Sequence, residues 1–265
     1  MNSGQSSNLI NLDLELSDAP IIVGGQCEIW KAYVPQLDRT LALKTPVNAL
    51  DHAVMKDLSA RFECELELLT DLSHPNIVRV IGTGEIRGNP CYIMNWADRT
   101  LRNLLDEDPE GMEWDSAKRL FLPIVDAMAY AHSKGVIHRD LKPENILIYG
   151  DTPCVSDFGL GRRVRATDQR LTYLNSDGGT NWYAAPEQFG AFEEAGKAAD
   201  VYSLGMILAE MSSSNTPGSP ATLNYIPPAI RSIVECCVQL DPQRRFEDAE
   251  EFARELKMVG YALVR

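Results

Sequence analysis

Apolar positions in the first hundred residues fall mostly at alternating spacing. Leu12, Leu14 and Leu16 alternate with Asp13 and Glu15, which predicts a short strand. Residues 21–25, 28–34 and 39–45 are rich in β-branched and aromatic side chains and predict three antiparallel strands. Gly24-Gly25 and Pro35-Gln36-Leu37-Asp38 supply the turns between them. The period then changes. Val54, Leu58, Phe62, Leu66 and Leu69 recur at helical spacing and draw one apolar stripe. Ser73-His74-Pro75-Asn76 ends that helix, and residues 77–82 and 91–96 predict two further strands.

From Asp98 onward helical periodicity dominates. Residues 117–133 predict a long helix, in which Pro123 marks a kink or a late start. Residues 198–211 are strongly apolar and predict a buried helix. Ile230, Ile233, Val234, Cys237 and Leu240 form a stripe on the next helix, and Ala249, Phe252, Ala253 and Leu256 form one on the last. A β-rich N-terminal third thus precedes an α-rich remainder, an α+β pattern.

Composition narrows the function classes. A chain of 265 residues, 45% hydrophobic and 24% charged, suits one or two domains with a sizeable core. No apolar run approaches the ~20 residues that cross a bilayer, so no membrane partner is expected. The first seven residues are polar and resemble neither a signal nor a transit peptide, so the expected location is cytoplasmic. The six cysteines form no CxxC pair and no Cys/His cluster, which fits a reducing compartment. A net charge of −13 argues against a nucleic-acid partner, because phosphate backbones demand basic surfaces. No internal repeat is visible, and residues 212–220 form the one loop-like run.

The densest chemistry lies in His138-Arg139-Asp140-Leu141-Lys142-Pro143-Glu144-Asn145, with Asp157-Phe158-Gly159 twelve residues after Asn145. That spacing leaves room for a short hairpin returning a second carboxylate to the same place. The run resembles the catalytic loop of protein kinases, in its serine/threonine form. The likeness extends from about residue 21 to 246. It implies a bilobal fold within a single domain over 1–265. An antiparallel sheet plus one long helix would span about 9–96, a hinge about 95–98, and a mainly helical lobe about 99–260.

The resemblance also implies roles. Asp140 accepts the proton of a substrate hydroxyl, Lys142 neutralises the transferring phosphoryl group, and Asn145 and Asp157 hold Mg²⁺. Leu41-Ala42-Leu43-Lys44 looks like the strand whose lysine holds the ATP phosphates. Among Glu63, Glu65, Glu67 and Asp71, the family's spacing to His74-Pro75-Asn76 selects Glu65 as its ionic partner. Met94 looks like the gatekeeper, Asn95 and Ala97 offer hinge backbone to adenine, and Ile29, Ala42 and Leu147 sandwich the ring. Thr180 positions substrate beside Asp140 and Lys142, Glu187 pairs with Arg245, and Asp200 braces the catalytic loop. Leu69, His138 and Phe158 form part of an apolar spine.

Two departures stand out. In the family's glycine-rich loop, Ile22 and Cys27 replace the outer glycines, and Gly24 and Gly25 remain to approach the phosphates. Residues 212–227 are shorter than the family's usual helical region for substrate docking. The expected function is Mg²⁺- and ATP-dependent phosphorylation of protein serine or threonine. Autophosphorylation is expected on Thr172 or Ser176, with Arg139 and Arg162 or Arg163 gripping the phosphate. The competing expectation is a pseudokinase scaffold. The intact Lys44, Glu65, Asp140, Asn145 and Asp157 weigh against it.

Overall fold

The protein is described from a computed structural model, for residues 14–47, 52–108, 110–163, 182–190, 195–213, 226 and 228–262. The N-terminal third holds a curled antiparallel sheet. Strands β1 (Glu15–Leu16) and β2 (Ile22–Val23) both pair with β3 (Cys27–Val34), which pairs along its length with β4 (Arg39–Pro46). Helix α1 (His52–Asp71) follows, then β5 (Gly82–Ile86) and β6 (Asn89–Asn95), giving the order β1-β3-β4-β6-β5.

Alternation assigns each face of this sheet a job. Leu41 and Leu43 of β4 and Cys91 and Ile93 of β6 join Trp30, Ala32, Val34 and Ile86 in a small core on one face. Ala42, Tyr92 and Met94 point to the opposite face, where α1 lays Phe62 and Leu69. Lys44, two residues after Ala42, therefore projects to the same side as α1.

One strand lies later than the apolar pattern predicts. Residues 77–82 do not form it. Val78 N–H donates to the Val155 carbonyl at 2.9 Å, and Val155 N–H donates to the Asn76 carbonyl at 2.8 Å. The backbone at 76–78 is thus engaged by the helical half, and pairing with β6 starts at Gly82. The hairpin turns at Arg87 and Gly88, both at positive φ (52° and 83°). Such two-residue turns match the twist of their strands.

Beyond β7 (Arg99–Thr100) the chain becomes helical: α2 (Leu101–Glu107), α3 (Trp114–Ser133), α4 (Lys197–Ser213), α5 (Pro228–Cys237) and α6 (Ala249–Ala262). Helix α3 begins at Trp114, so Pro123 lies within it and does not mark its start. Helix α4 is buried nearly all round, with Val201, Leu204, Ile207, Leu208 and Met211 fully inaccessible. Phe252 of α6 packs edge-on against Phe121 of α3. Leu240 departs from its predicted stripe: it follows the end of α5 and is exposed. Cys154 is buried, and Cys64 is half-buried with its thiol 3.6 Å from the Gly161 carbonyl.

Five short strands frame the His138–Asn145 run and Asp157. Strand β8 (Val136–Ile137) pairs with β11 (Arg162–Arg163), and β9 (Ile146–Tyr149) lies between β10 (Thr152–Val155) and β7. The β9–β10 hairpin returns the chain from Asn145 to Asp157. The structure is α+β and bilobal, with the sheet and α1 on one side and the helices on the other.

Candidate active site

Lys44 reaches across the face of β4 to α1. Its ammonium lies 2.9 and 2.8 Å from the two Glu65 carboxylate oxygens and 3.1 Å from Oδ1 of Asp157. Glu63, Glu67 and Asp71 face solvent, because helical spacing turns only Glu65 inward. Burial opposes the lysine's charge, but Asp157 and Glu65 together hold its pKa well above the ordinary value. Burial raises Glu65 despite Lys44. Asp157 stays below the usual carboxylate range: burial works against ionisation, and the adjoining Lys44 outweighs it.

The catalytic-loop candidates form a second cluster. Lys142 Nζ sits 3.0 Å from Asp140 Oδ2. Asn145 donates its amide hydrogens to the Asp140 carbonyl at 2.8 Å and to Asp140 Oδ2 at 3.1 Å. Its side-chain oxygen is thus the atom left for a cation. Burial raises the Asp140 pKa, and Lys142 holds it down in part. Both Arg139 and Asp157 have left-handed backbones, at φ 69° and 63°. Non-glycine residues adopt that region rarely and at a cost.

Asp200, fully buried on α4, fixes this loop. Its carboxylate accepts the main-chain N–H groups of His138 and Arg139, each at 2.8 Å, and His132 Nε2 lies 2.9 Å away. Burial opposes its charge, yet the His132 hydrogen bond and the loop amides keep its pKa depressed. His138 packs against Phe158 with tilted rings, centroids 4.5 Å apart, and Leu69 is buried in the same core as Phe158. Arg245 makes two 2.8 Å bonds to Glu187. Arg139 donates through Nε and Nη2 to the Ala195 carbonyl at 3.2 and 2.9 Å.

Between the two clusters lies a cavity of about 600 Å³. Ile22, Gly24, Gly25 and Cys27 line one wall, with Gly24 N–H donating to the Cys27 carbonyl at 2.9 Å to close the turn. Ile29, Ala42, Leu147 and Met94 give the cavity apolar lining, and Asn95 and Ala97 of the connecting segment line it as well. Lys44, Glu65, Asp140, Lys142, Asn145 and Asp157 line the remainder. Burial raises the Cys27 thiol to about 11, so it stays protonated at neutral pH. Thr180 lies outside the described residues, as do Thr167, Thr172, Tyr173 and Ser176. Most of the shortened 212–227 region lies outside them too.

Three residues escape sequence reasoning. Tyr92 donates its hydroxyl to Glu65 Oε1 at 3.0 Å, and only its shared face with Met94 signals that role. Arg61, one turn before Glu65, is buried and lines the cavity beside Asp57. Tyr149 donates its hydroxyl to the Asn95 carbonyl at 3.2 Å, tying the connecting segment to β9.

Asp157 and Asn145 suit a hard divalent cation, which takes oxygen ligands. Among the described residues no group of three His, Cys, Asp or Glu side chains could hold a metal alone. A cation there would complete its shell with phosphate oxygens and water, as Mg²⁺ does. No helix among the described residues is long and apolar enough to cross a membrane.

Comparison with known proteins places this geometry. A family model described as protein kinase domain matches residues 23–258. The serine/threonine-protein kinase PknF of Mycobacterium tuberculosis is 33% identical over 258 residues, covering 88% of this chain and 53% of that protein. The serine/threonine-protein kinase PknD of Protochlamydia amoebophila is 28% identical over 88% of this chain and 28% of its own length. The serine/threonine-protein kinase PknL of Mycobacterium bovis is 29% identical over 94% of this chain and 66% of its own. The chain therefore spans about a quarter to two thirds of these relatives. With the family model covering most of its length and the six motif residues gathered on one cavity, the chain belongs to the protein kinase domain family.

Proposed function

We propose that the protein transfers the γ-phosphoryl group of ATP to serine or threonine hydroxyls of protein substrates, with Mg²⁺. The observation that carries this reading is the convergence of Lys44, Glu65, Asp140, Lys142, Asn145 and Asp157 on one cavity. The apolar lining at Ala42 and Leu147 takes the adenine, and the Asn95 and Ala97 backbone meets its edge. Glu65 holds Lys44 where the α- and β-phosphates lie, and the Gly24-Gly25 turn lets main-chain N–H groups approach them.

Asp157 and Asn145 hold the cation, which when bound offsets the negative charge of the phosphates. Asp140 orients the attacking hydroxyl and accepts its proton. Burial raises the Asp140 pKa, and the donors Lys142 and Asn145 at Oδ2 favour its ionised form. Lys142 then offsets charge on the transferring group, a role that needs a fixed cation rather than a covalent step. Six cysteines that form no disulfide suit a reducing, cytoplasmic location.

The test is incubation with labelled ATP, Mg²⁺ and a generic basic protein, beside an Asp157→Asn control. Label on protein that disappears in the control supports the proposal. Absence of turnover, with no shift in melting temperature on adding Mg·ATP, would sink it in favour of a scaffold.

A further inference from the structure

Arg102 lies on the first turn of α2, between Thr100 and Asn103, both of which line the cavity. Its guanidinium points away from bulk solvent into a convergence of three distant segments. Nη1 and Nη2 each lie 2.9 Å from Glu210 Oε1, and Nη2 also lies 2.9 Å from Oε2. Nη2 donates to the Tyr183 hydroxyl at 2.6 Å, and that hydroxyl in turn donates to Glu210. Nε faces Glu144 Oε1 at 3.3 Å, and Nη1 faces Asp106 at 3.3 Å.

The location matters as much as the contacts. Glu144 belongs to the catalytic loop, four residues after Asp140, and lines the same cavity. Tyr183 lies three residues before Pro186, on the segment that follows Thr180. The network therefore borders the floor on which a peptide must lay its hydroxyl beside Asp140. Glu210 is 8% exposed, Arg102 24% and Glu144 47%, so the site opens outward from a buried carboxylate.

A guanidinium already in place reports what this site binds. All its faces are taken: a bidentate approach to Glu210, a phenol at one nitrogen and a second carboxylate at Nε. Planar, forked donation is what guanidinium supplies and an ammonium does not. A peptide arginine would need these same oxygens, and Arg102 holds them at no cost in association entropy. We propose that Arg102 is a specificity-determining residue, which fills from within a guanidinium site beside the catalytic loop and so removes selection for a basic residue in the substrate.

This inference rests on the protein-kinase reading of the cavity, so its test separates peptide binding from turnover. One arginine is moved through the positions flanking a serine, each peptide having a norleucine counterpart. A second set carries alanine for the serine and is used for binding by fluorescence anisotropy. The unaltered protein is expected to bind arginine and norleucine peptides within about threefold of each other. Arg102→Ala is expected to favour arginine at one position by about tenfold or more, the scale of a desolvated charge pair. Adding Glu144→Gln to Arg102→Ala should remove most of that gain. Should Arg102→Ala melt below assay temperature, Arg102→Met keeps the stem and carries the same comparison.

Equal binding of both peptides by the Arg102 variants would overturn the inference. So would a tenfold arginine preference in the unaltered protein. Binding that behaves as expected without any phosphate transfer would leave the inference standing and count against the proposed activity instead.

Discussion

The Lys142 ammonium sits 3.0 Å from Oδ2 of Asp140, on the side of the carboxylate that also receives Asn145. Burial drives the Asp140 pKa up, and Lys142 is the largest influence bringing it back. Removing the lysine charge removes that restraint. Lys142→Met should therefore shift the acid limb of the kcat/KM profile to higher pH, because ionised Asp140 is the competent form. It should also lower kcat by about 100-fold through loss of charge stabilisation. Rate profiles from about pH 4 to about pH 8, which span the titration of carboxyl and imidazole groups, check both effects.

Tyr92 supports the Lys44–Glu65 pair from behind. Tyr92→Phe leaves Glu65 Oε1 without that donor in a buried setting. The expected loss is about 1 kcal/mol, read as a roughly fivefold rise in KM for ATP with kcat little changed. Equal fractional losses in kcat and kcat/KM would contradict a role confined to nucleotide binding.

Asp200 links two amides of the catalytic loop to His132. Asp200→Asn replaces one acceptor oxygen with a donor and should cost about 3 kcal/mol of folding stability. Its depressed pKa gives the sign of the pH effect. The unfolded chain binds more protons here, so the contribution is present above the ordinary aspartate pKa and is lost as pH falls through the lower folded value. Urea denaturation of the variant should show a flatter dependence on acid than the unaltered protein.

Gly205 of α4 meets α5 closely. A Cβ added there would lie 2.4 Å from the Cβ of Cys237. Gly205→Ala should destabilise the helical half by about 2 kcal/mol, as overpacked cores do. Cys237→Ala should fail to rescue it, since the obstacle is the first side-chain atom and not the sulfur. Thermal melts of the single and double variants decide the point.

The sequence reveals most where chemistry is tied to short spacing. The catalytic-loop run and Asp157 sit on a hairpin whose length brings them together, and counting back from His74 singled out Glu65, the acid that meets Lys44. Strand 82–86 was harder to read, because alternation says which face a residue takes but not which neighbour takes its hydrogen bonds. Ile77 and Val78 look like strand residues of the sheet, yet their backbone meets β10. Arg102, Tyr183 and Glu210 were illegible for another reason. Their contacts join positions 81 and 108 residues apart, and nothing local in any of the three announces a partner.

The left-handed backbones at Arg139 and Asp157 have a consequence for anything that occupies the cleft. Each holds about 1 kcal/mol or more that a relaxed conformation would release. A compound that moves the Asp157 backbone out of its present geometry gives up the 3.1 Å contact of Asp157 with Lys44, and the strain released offsets only part of that loss. A compound that accepts the present geometry incurs neither change. The protein thus contributes unequally to the two kinds of binder. About 1.4 kcal/mol of net difference is a tenfold preference for the second.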